Sequence, residues 1–145
     1  MLKAVLAAAA VAAGLIEPLR AVAGEWNKAA FDAREIGLAL KAADVANATA
    51  SADLIIRAPE IAENGAQVPI EVVSKIPGTQ ILYLFVDKNP QPFVGSFEFL
   101  EGAEPFISTR IKMGETSNVR VVARAGSKVY VALREVKVTI GGCAA

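Results

Sequence analysis

The segment NVRVVARAGSKVYVALREVKVTI, residues 118–140, decides the fold. Val119, Val121 and Ala123 alternate with Arg120 and Arg124, so one side of this strand is apolar and the other is charged. Alternation with a period of two is typical of a β-strand that buries one face. The segment therefore predicts two long strands, 118–125 and 128–140.

The second of these strands changes phase at Arg134-Glu135. Val129, Val131 and Leu133 hold odd positions, whereas Val136, Val138 and Ile140 hold even ones. One inserted residue shifts the face of every side chain that follows it, as in a β-bulge. The pattern predicts a bulge at Arg134-Glu135.

Short strands with turn residues between them continue back from this segment to Asp53. Asn64-Gly65 is a strong hairpin signal, and the loop Asp87 to Pro92 contains too much proline for a central strand. No helical stretch alternates with the strands. About seven antiparallel strands in residues 53–140 predict an immunoglobulin-like β-sandwich. The predicted strands are 54–56, 68–75, 80–86, 93–100, 105–112, 118–125 and 128–140.

Residues 24–52 precede the sandwich and predict one helix followed by a connector. The helix is expected from Gly24 to Ala43, with Asn27 as a plausible N-cap and with frequent alanine. Its apolar stripe suits packing against the side of a sheet. Residues 46–52 are small and polar, as in a connector.

The first 23 residues resemble an export signal. Lys3 precedes an uncharged run from Ala4 to Ile16, and Ala21-Val22-Ala23 is an A-x-A cleavage site. A buried N-terminal helix is the alternative. Met1-Leu2-Lys3 is similar to the end of a twin-arginine signal without its arginines, so we expect the true start codon to lie upstream. The mature chain is expected in the periplasm.

Composition excludes most kinds of chemistry. Among 145 residues there is no histidine and a single cysteine, and 15 basic residues balance 15 acidic ones. Histidine-dependent catalysis, histidine-ligated metals, zinc ribbons and an internal disulfide are thereby excluded. Without a basic surplus, nucleic acid and anionic membranes are poor partners. We expect no metal, no cofactor and no catalytic turnover by the chain itself.

Three weaker candidate sites have simpler structural explanations. Phe93, Phe97 and Phe99 are predicted to share one strand face, which is either sandwich core or a docking surface. Ser108-Thr109-Arg110 could hold an oxyanion, although outward-facing strand residues explain it better. Five glutamates could supply an acid/base pair, although solvated loop charge is the default; they are Glu60, Glu63, Glu98, Glu101 and Glu104.

The single cysteine, Cys143, lies in the last five residues, which we interpret as a flexible arm. Gly141 and Gly142 precede it and have no Cβ, so the arm is thin and takes either sign of φ. Three residues beyond Ile140 reach at most roughly 10 Å. An ordinary cysteine thiol, with a pKa of about 8.5, is mostly protonated at neutral pH. Cys143 is therefore better suited to a handle that a partner charges than to a nucleophile, the other explanation being an inert cysteine on a frayed end.

Four segments resemble the SoxY family, the sulfur-carrier subunits of the bacterial Sox thiosulfate-oxidising system. The order and spacing of these segments carry the resemblance. They are APEIAENGAQVP at 58–69, NPQP at 89–92, FISTRIKM at 106–113 and VKVTIGGC at 136–143.

The resemblance implies a heterodimer with a second sandwich subunit, SoxZ, in the periplasm. Cys143 would be the attachment residue for sulfur intermediates, with Gly141, Gly142, Ala144 and Ala145 as the swinging arm. A c-type cytochrome would join thiosulfate to the cysteine, and a SoxB-like hydrolase would release sulfate. In some systems a sulfane dehydrogenase then oxidises the remaining sulfur.

The tail departs from the family in one respect. The family ends Gly-Gly-Cys-Gly-Gly, whereas Ala144 and Ala145 follow the cysteine here. Each alanine adds a Cβ and disfavours positive φ, so a reduced fit to partner channels is expected. The second hypothesis for the whole chain is an exported structural or adhesive domain whose cysteine forms an intermolecular disulfide.

Overall fold

The computed structural model describes residues 26–141 of the chain. The predicted export signal, 1–23, and residues 142–145 of the predicted arm lie outside the described residues. Within these residues, two short helices precede nine strands. They are α1 (Lys28–Asp32), α2 (Ile36–Ala42), β1 (Thr49–Ala50), β2 (Leu54–Arg57), β3 (Ile61–Ala62), β4 (Val68–Ser74), β5 (Thr79–Val86), β6 (Phe93–Glu98), β7 (Phe106–Ile111), β8 (Ser117–Ala125) and β9 (Lys128–Val138).

The strands form two sheets that pack face to face. The larger sheet has the order β1-β9-β8-β5-β6, with β3 also paired to β9, and the smaller has the order β2-β4-β7. All pairs are antiparallel except those that β1 and β3 make with β9. The seven strands of four or more residues match the seven predicted ones. The fold is an immunoglobulin-like β-sandwich, as predicted.

The sandwich core consists of alternate residues from both sheets. Val119, Val121 and Ala123 of β8 are buried against residues such as Ile70 and Val72 of β4, which confirms the predicted alternation. Each fully buried aliphatic side chain stabilises the fold by about 1.5–3 kcal/mol relative to exposure.

The helices cover the outer face of the larger sheet, as predicted, but there are two of them. Ala33 leaves the helical conformation (φ −60°, ψ 135°), so the single predicted helix Gly24–Ala43 is divided. Asn27 caps α1 by accepting from the Ala30 amide, and its Nδ2 donates to the Ala42 carbonyl of α2. Packing on the sheet overrides alanine's helix propensity, because helical stability in proteins comes mainly from such packing.

The predicted bulge at Arg134-Glu135 is wrong. Pairing of β8 with β9 continues without a register shift from Ser117↔Val136 to Ala125↔Lys128. The change of phase instead arises because the two halves of β9 are covered on opposite faces. Val129 and Val131 contact the helix layer, whereas Val136 lies in the sandwich core. Beyond the helices the outer face is exposed, and Leu133 there is 51% exposed.

The prediction that Phe93, Phe97 and Phe99 share one face is also wrong. Leu84 pairs with Gly95 but Phe85 pairs with Phe93, so Val94 is an inserted residue. The bulge turns Phe93 under the helices, while Phe97 and Phe99 pack against the sandwich core. The three side chains therefore do not line up as one row.

Gly37 offers a test of the helix layer. It is exposed inside α2, and a Cβ built there meets nothing within 4 Å. Glycine in a helix interior costs about 0.5–1 kcal/mol relative to alanine. Gly37 is the second residue of α2, so Gly37→Ala should raise the free energy of unfolding by at most about that amount. Urea unfolding at constant m-value measures the change.

Gly78→Ala is the matched control, because Gly78 has φ +76° in the turn before β5. We expect it to destabilise the protein by about 1–2 kcal/mol, since L-residues disfavour that region. Loss of stability in Gly37→Ala would contradict the assignment of α2 as a regular helix.

No helix within residues 26–141 combines the length and apolar character that a membrane crossing requires.

Candidate functional site

The site is the base of the C-terminal arm, residues 139–141, which follow directly on β9. The segment 60–65 lies along one side of it. β3 pairs in parallel with Lys137 and Val138, the Thr139 amide donates to the Ala62 carbonyl (3.1 Å), and the Thr139 hydroxyl donates to the Glu63 carbonyl (3.3 Å). The arm base is therefore an ordered extension of the sheet.

Gly65 joins the arm base to a second loop. Its amide donates to the Ile140 carbonyl (2.8 Å), and its carbonyl accepts from the Met113 amide (2.7 Å). Asn64 forms a local turn by accepting from the Ala66 amide. The sequence indicated that Asn64-Gly65 closes a tight hairpin between β2 and β4. The pair does not do so, because β3 lies between these two strands in the chain.

Gly141 lies against the backbone of Gly114. A Cβ built on Gly141 would overlap the Gly114 carbonyl oxygen and lie 3.3 Å from its carbon. This close approach of two backbones requires glycine because any side chain would occupy the same space. The sequence explained Gly141 by freedom of φ, and the structure adds this steric reason.

The loop that carries Gly114 is held by Asn89. Asn89 Nδ2 donates to the Lys112 carbonyl (2.7 Å), and Asn89 Oδ1 accepts from the Gly114 amide (3.0 Å). Nearby, the Thr116 hydroxyl oxygen accepts from the Val138 amide (2.9 Å). Three loops thus meet at the arm base.

An ion pair anchors the loop that presents Asn89. Arg120 donates to both carboxylate oxygens of Asp87, at 2.9 and 2.8 Å, and both side chains are mostly buried. These hydrogen bonds raise the pKa of Arg120 above its ordinary value, against the opposing effect of burial. The guanidinium therefore stays charged, and the loop keeps its place on β8.

The four sequence segments singled out above converge at this site. Residues 58–69, 89–92 and 106–113 supply Gly65, Asn89 and Met113. Gly65 bonds directly to Ile140, Met113 bonds to Gly65, and Asn89 bonds to the residues on both sides of Met113. Segments widely separated in sequence thus build a single structural feature, the ordered base of the arm.

The other predicted site residues do not form a second site. All five glutamates are exposed, in agreement with solvated charge, although Glu98 lies on β6 and not in a loop. Ser108 and Arg110 face outward on β7 while Thr109 is half-buried on the opposite face, so the three do not converge on an oxyanion. Within residues 26–141, no group of three or more acidic, cysteine or histidine residues could hold a metal ion.

A cleft of about 830 Å³ lies at the opposite end of β9, bordered by Tyr130, Lys128 and Lys41. Its Arg124 is already engaged, donating to the Asp44 carbonyl (2.8 Å) and the Tyr83 hydroxyl (3.4 Å). The cleft is separate from the arm base.

Of the predicted arm residues, the structure describes Gly141. Cys143, Gly142, Ala144 and Ala145 lie outside the described residues. Sequence reasoning missed Gly65, Gly114 and Asn89. The glycine at each backbone contact was a usable signal, but nothing in the sequence shows which distant glycines meet.

Comparison with known protein families gives a match over residues 40–143 to the family described as "Sulfur oxidation protein SoxY". The chain belongs to the SoxY family. The match spans well over half of the chain, and its last residue is Cys143.

A solved structure agrees with this assignment. The sulfur carrier protein SoxY from Chlorobium limicola f thiosulfatophilum is 45% identical, covers 69% of this chain and 93% of its own, and superimposes with a TM-score of 0.62. An engineered protein at 14% identity covers 63% of this chain and 21% of its own, and its TM-score of 0.41 is too low to inform the fold. No curated protein matched the chain significantly.

Membership of the SoxY family and the structural match support a sulfur-carrier role. This role is consistent with a non-catalytic subunit.

Proposed function

We propose that the protein is an exported SoxY-type carrier that holds sulfur intermediates covalently on Cys143 during thiosulfate oxidation. The observation that carries the proposal is that the family match ends on the chain's single cysteine. The rest of the chain offers no other thiol. Intermediates held on Cys143 make a separate cofactor unnecessary.

Charging forms one sulfur–sulfur bond. The Cys143 thiolate joins the outer sulfur of thiosulfate to give a cysteine S-thiosulfonate, and two electrons leave to a c-type cytochrome partner. A SoxB-like hydrolase then adds water, releases sulfate and leaves a cysteine persulfide. Where a sulfane dehydrogenase is present, it oxidises the persulfide to a cysteine S-sulfonate, with oxygen atoms from three waters and with six electrons passing to a c-type cytochrome. A second hydrolysis then releases sulfate and frees the thiol.

The arm base supports this use. Hydrogen bonds to the segment 60–65 fix the chain as far as Ile140, and Gly141 lies against Gly114. Two residue steps from Gly141 to Cys143 span at most about 7 Å. The catalytic groups of each partner must therefore come close to this end of the sandwich. A narrow partner channel would accept Gly142 readily and the Cβ atoms of Ala144 and Ala145 less readily.

The proposed working form is a periplasmic heterodimer with a SoxZ-like sandwich subunit. Export through the twin-arginine route is part of the proposal. The near balance of charge gives no reason to add nucleic acid or membrane as partners.

Radiolabelled thiosulfate tests charging directly. The reduced protein is incubated with labelled thiosulfate, oxidised c-type cytochrome and a periplasmic extract from thiosulfate-grown cells. We expect label on the wild-type chain that a thiol reductant releases, and none on Cys143→Ser. A wild-type chain without label would contradict the proposal, and a covalent homodimer as the sole native form on a non-reducing gel would favour the disulfide-linked structural domain.

A further inference from the structure

Asn89 uses its whole side-chain amide on one loop. Its nitrogen donates to Lys112 and its oxygen accepts from Gly114, so it brackets Met113 on both sides. Met113 is fully buried and its amide donates to Gly65. The loop 112–114 is thus held by the burial of Met113 in the core, by the hydrogen bond to the segment 60–65 and by Asn89.

Asn89 itself is held firmly. Asp87 is paired with Arg120, and its amide donates to the Asn118 carbonyl (3.1 Å). The Lys88 amide donates to the Ser117 hydroxyl oxygen (3.0 Å). Pro90 and Pro92 restrict φ on the other side of Asn89. Because its own loop is so constrained, the Asn89 side chain can set the position of Gly114.

Gly114 in turn contacts the base of the arm. The Gly114 carbonyl lies directly against Gly141, whereas Asn89 contacts Gly114 and Lys112. Movement of Gly114 therefore changes the place at which the chain leaves the sandwich. A misplacement of about 1 Å can cost about 10²-fold in a reaction that depends on alignment.

We propose that Asn89 is a positioning residue for the carrier arm, acting through Gly114 on Gly141. Its role is to fix the departure point of the arm, so that Cys143 meets a partner's reacting groups in alignment. The consequence for charging rests on the proposed function, whereas the effect on the arm itself does not. Each is therefore measured separately.

The arm is measured first, without any partner. Nitroxide labels are attached to two cysteines. One is the native Cys143, and the other is introduced by Ser108→Cys at an exposed position of β7. Pulsed electron resonance gives the distribution of distances between them. We expect Asn89→Ala and Asn89→Asp to broaden or shift the distribution. Asn89→Asp keeps the acceptor for Gly114 and removes the donor to Lys112, so the test stands even if the alanine variant folds poorly.

Gln91→Ala is the matched control. Gln91 is exposed in the same loop, and its side chain makes no hydrogen bond among residues 26–141. Its distance distribution should equal that of the parent. If the distance distributions of the Asn89 variants also match that of the parent, the proposal is overturned, whether or not the protein carries sulfur.

Charging gives the functional readout. The rate of labelling by thiosulfate and the cytochrome system is divided by the rate of alkylation of Cys143 with iodoacetamide, which needs no alignment. We expect this ratio to fall about tenfold or more in Asn89→Ala, and to stay unchanged in Gln91→Ala. A changed distance distribution with an unchanged ratio would overturn the role in presentation. Absence of label on the parent chain would instead contradict the proposed function, and with it the role of Asn89 in presentation. The distance measurement alone would then decide whether Asn89 places the arm.

Discussion

Replacement of Cys143 by serine is expected to abolish thiosulfate oxidation that depends on this protein. A serine hydroxyl has a far higher pKa than a thiol and is a poor nucleophile at neutral pH, so it cannot form the sulfur–sulfur bond that holds the intermediate. In a strain that lacks the native gene, Cys143→Ser should consume thiosulfate at the rate of the empty strain. The wild-type gene should restore consumption.

Two controls separate lost chemistry from lost protein. The amount of exported Cys143→Ser chain should equal that of the wild type, because in the proposed mechanism the sulfur serves as an attachment point and not as part of the fold. Cys143→Ala should behave like Cys143→Ser. Thiosulfate consumption restored by either variant would show that the thiol is dispensable and would contradict the carrier function.

Gly141→Ala has the second-largest expected effect. The new Cβ would overlap the Gly114 carbonyl oxygen. Asn89 and the Met113–Gly65 hydrogen bond hold Gly114, so the arm base is the part that moves. Overpacking of this kind costs about 1–3 kcal/mol. We also expect the charging rate to fall about 10²-fold, as for other displacements of about 1 Å in aligned reactions.

Gly114→Ala is the control on the facing backbone. Its Cβ would meet Asn89 Oδ1 at 3.9 Å, which is ordinary contact, and Gly114 is exposed. Its stability should lie within about 0.5 kcal/mol of the wild type. Urea unfolding and the charging assay measure both variants. Equal behaviour of Gly141→Ala and Gly114→Ala would show that the close approach at Gly141 has no consequence.

Alternation was sufficient to predict the sandwich. Val119, Val121 and Ala123 reach the core as their spacing indicates, and the seven longer strands lie where turn residues separate them. A strand that buries one face along its whole length carries its orientation in its own sequence.

The two errors of phase have a common origin. β9 is covered on its outer face along only part of its length, so Val129 is half-buried and Val136 is buried although they face opposite sides. The sequence signal of such a strand is the same as that of a bulge. At Val94 the reverse holds, because a true bulge left Phe93, Phe97 and Phe99 in apparent alternation. Only the partner strands distinguish the two cases.

The sequence is enough to propose the arm but not to find the contacts at its base. A single cysteine between glycines and alanines stands out in the sequence by composition alone. The contacts of Asn89 with Gly114, 25 residues away, depend on how three loops meet after folding. Asparagine in a proline-rich loop is common in turns, so no local pattern indicated that this one supports the arm.

Intact-mass analysis of the chain from thiosulfate-grown cells tests the central claim most directly. We predict a fraction of molecules that carry sulfur-containing adducts, with every adduct located at Cys143 in peptide fragments and removed by a thiol reductant. The same analysis of Cys143→Ser should give the unmodified mass alone. A wild-type chain that is unmodified during active thiosulfate oxidation, or adducts that persist in Cys143→Ser, would contradict the account.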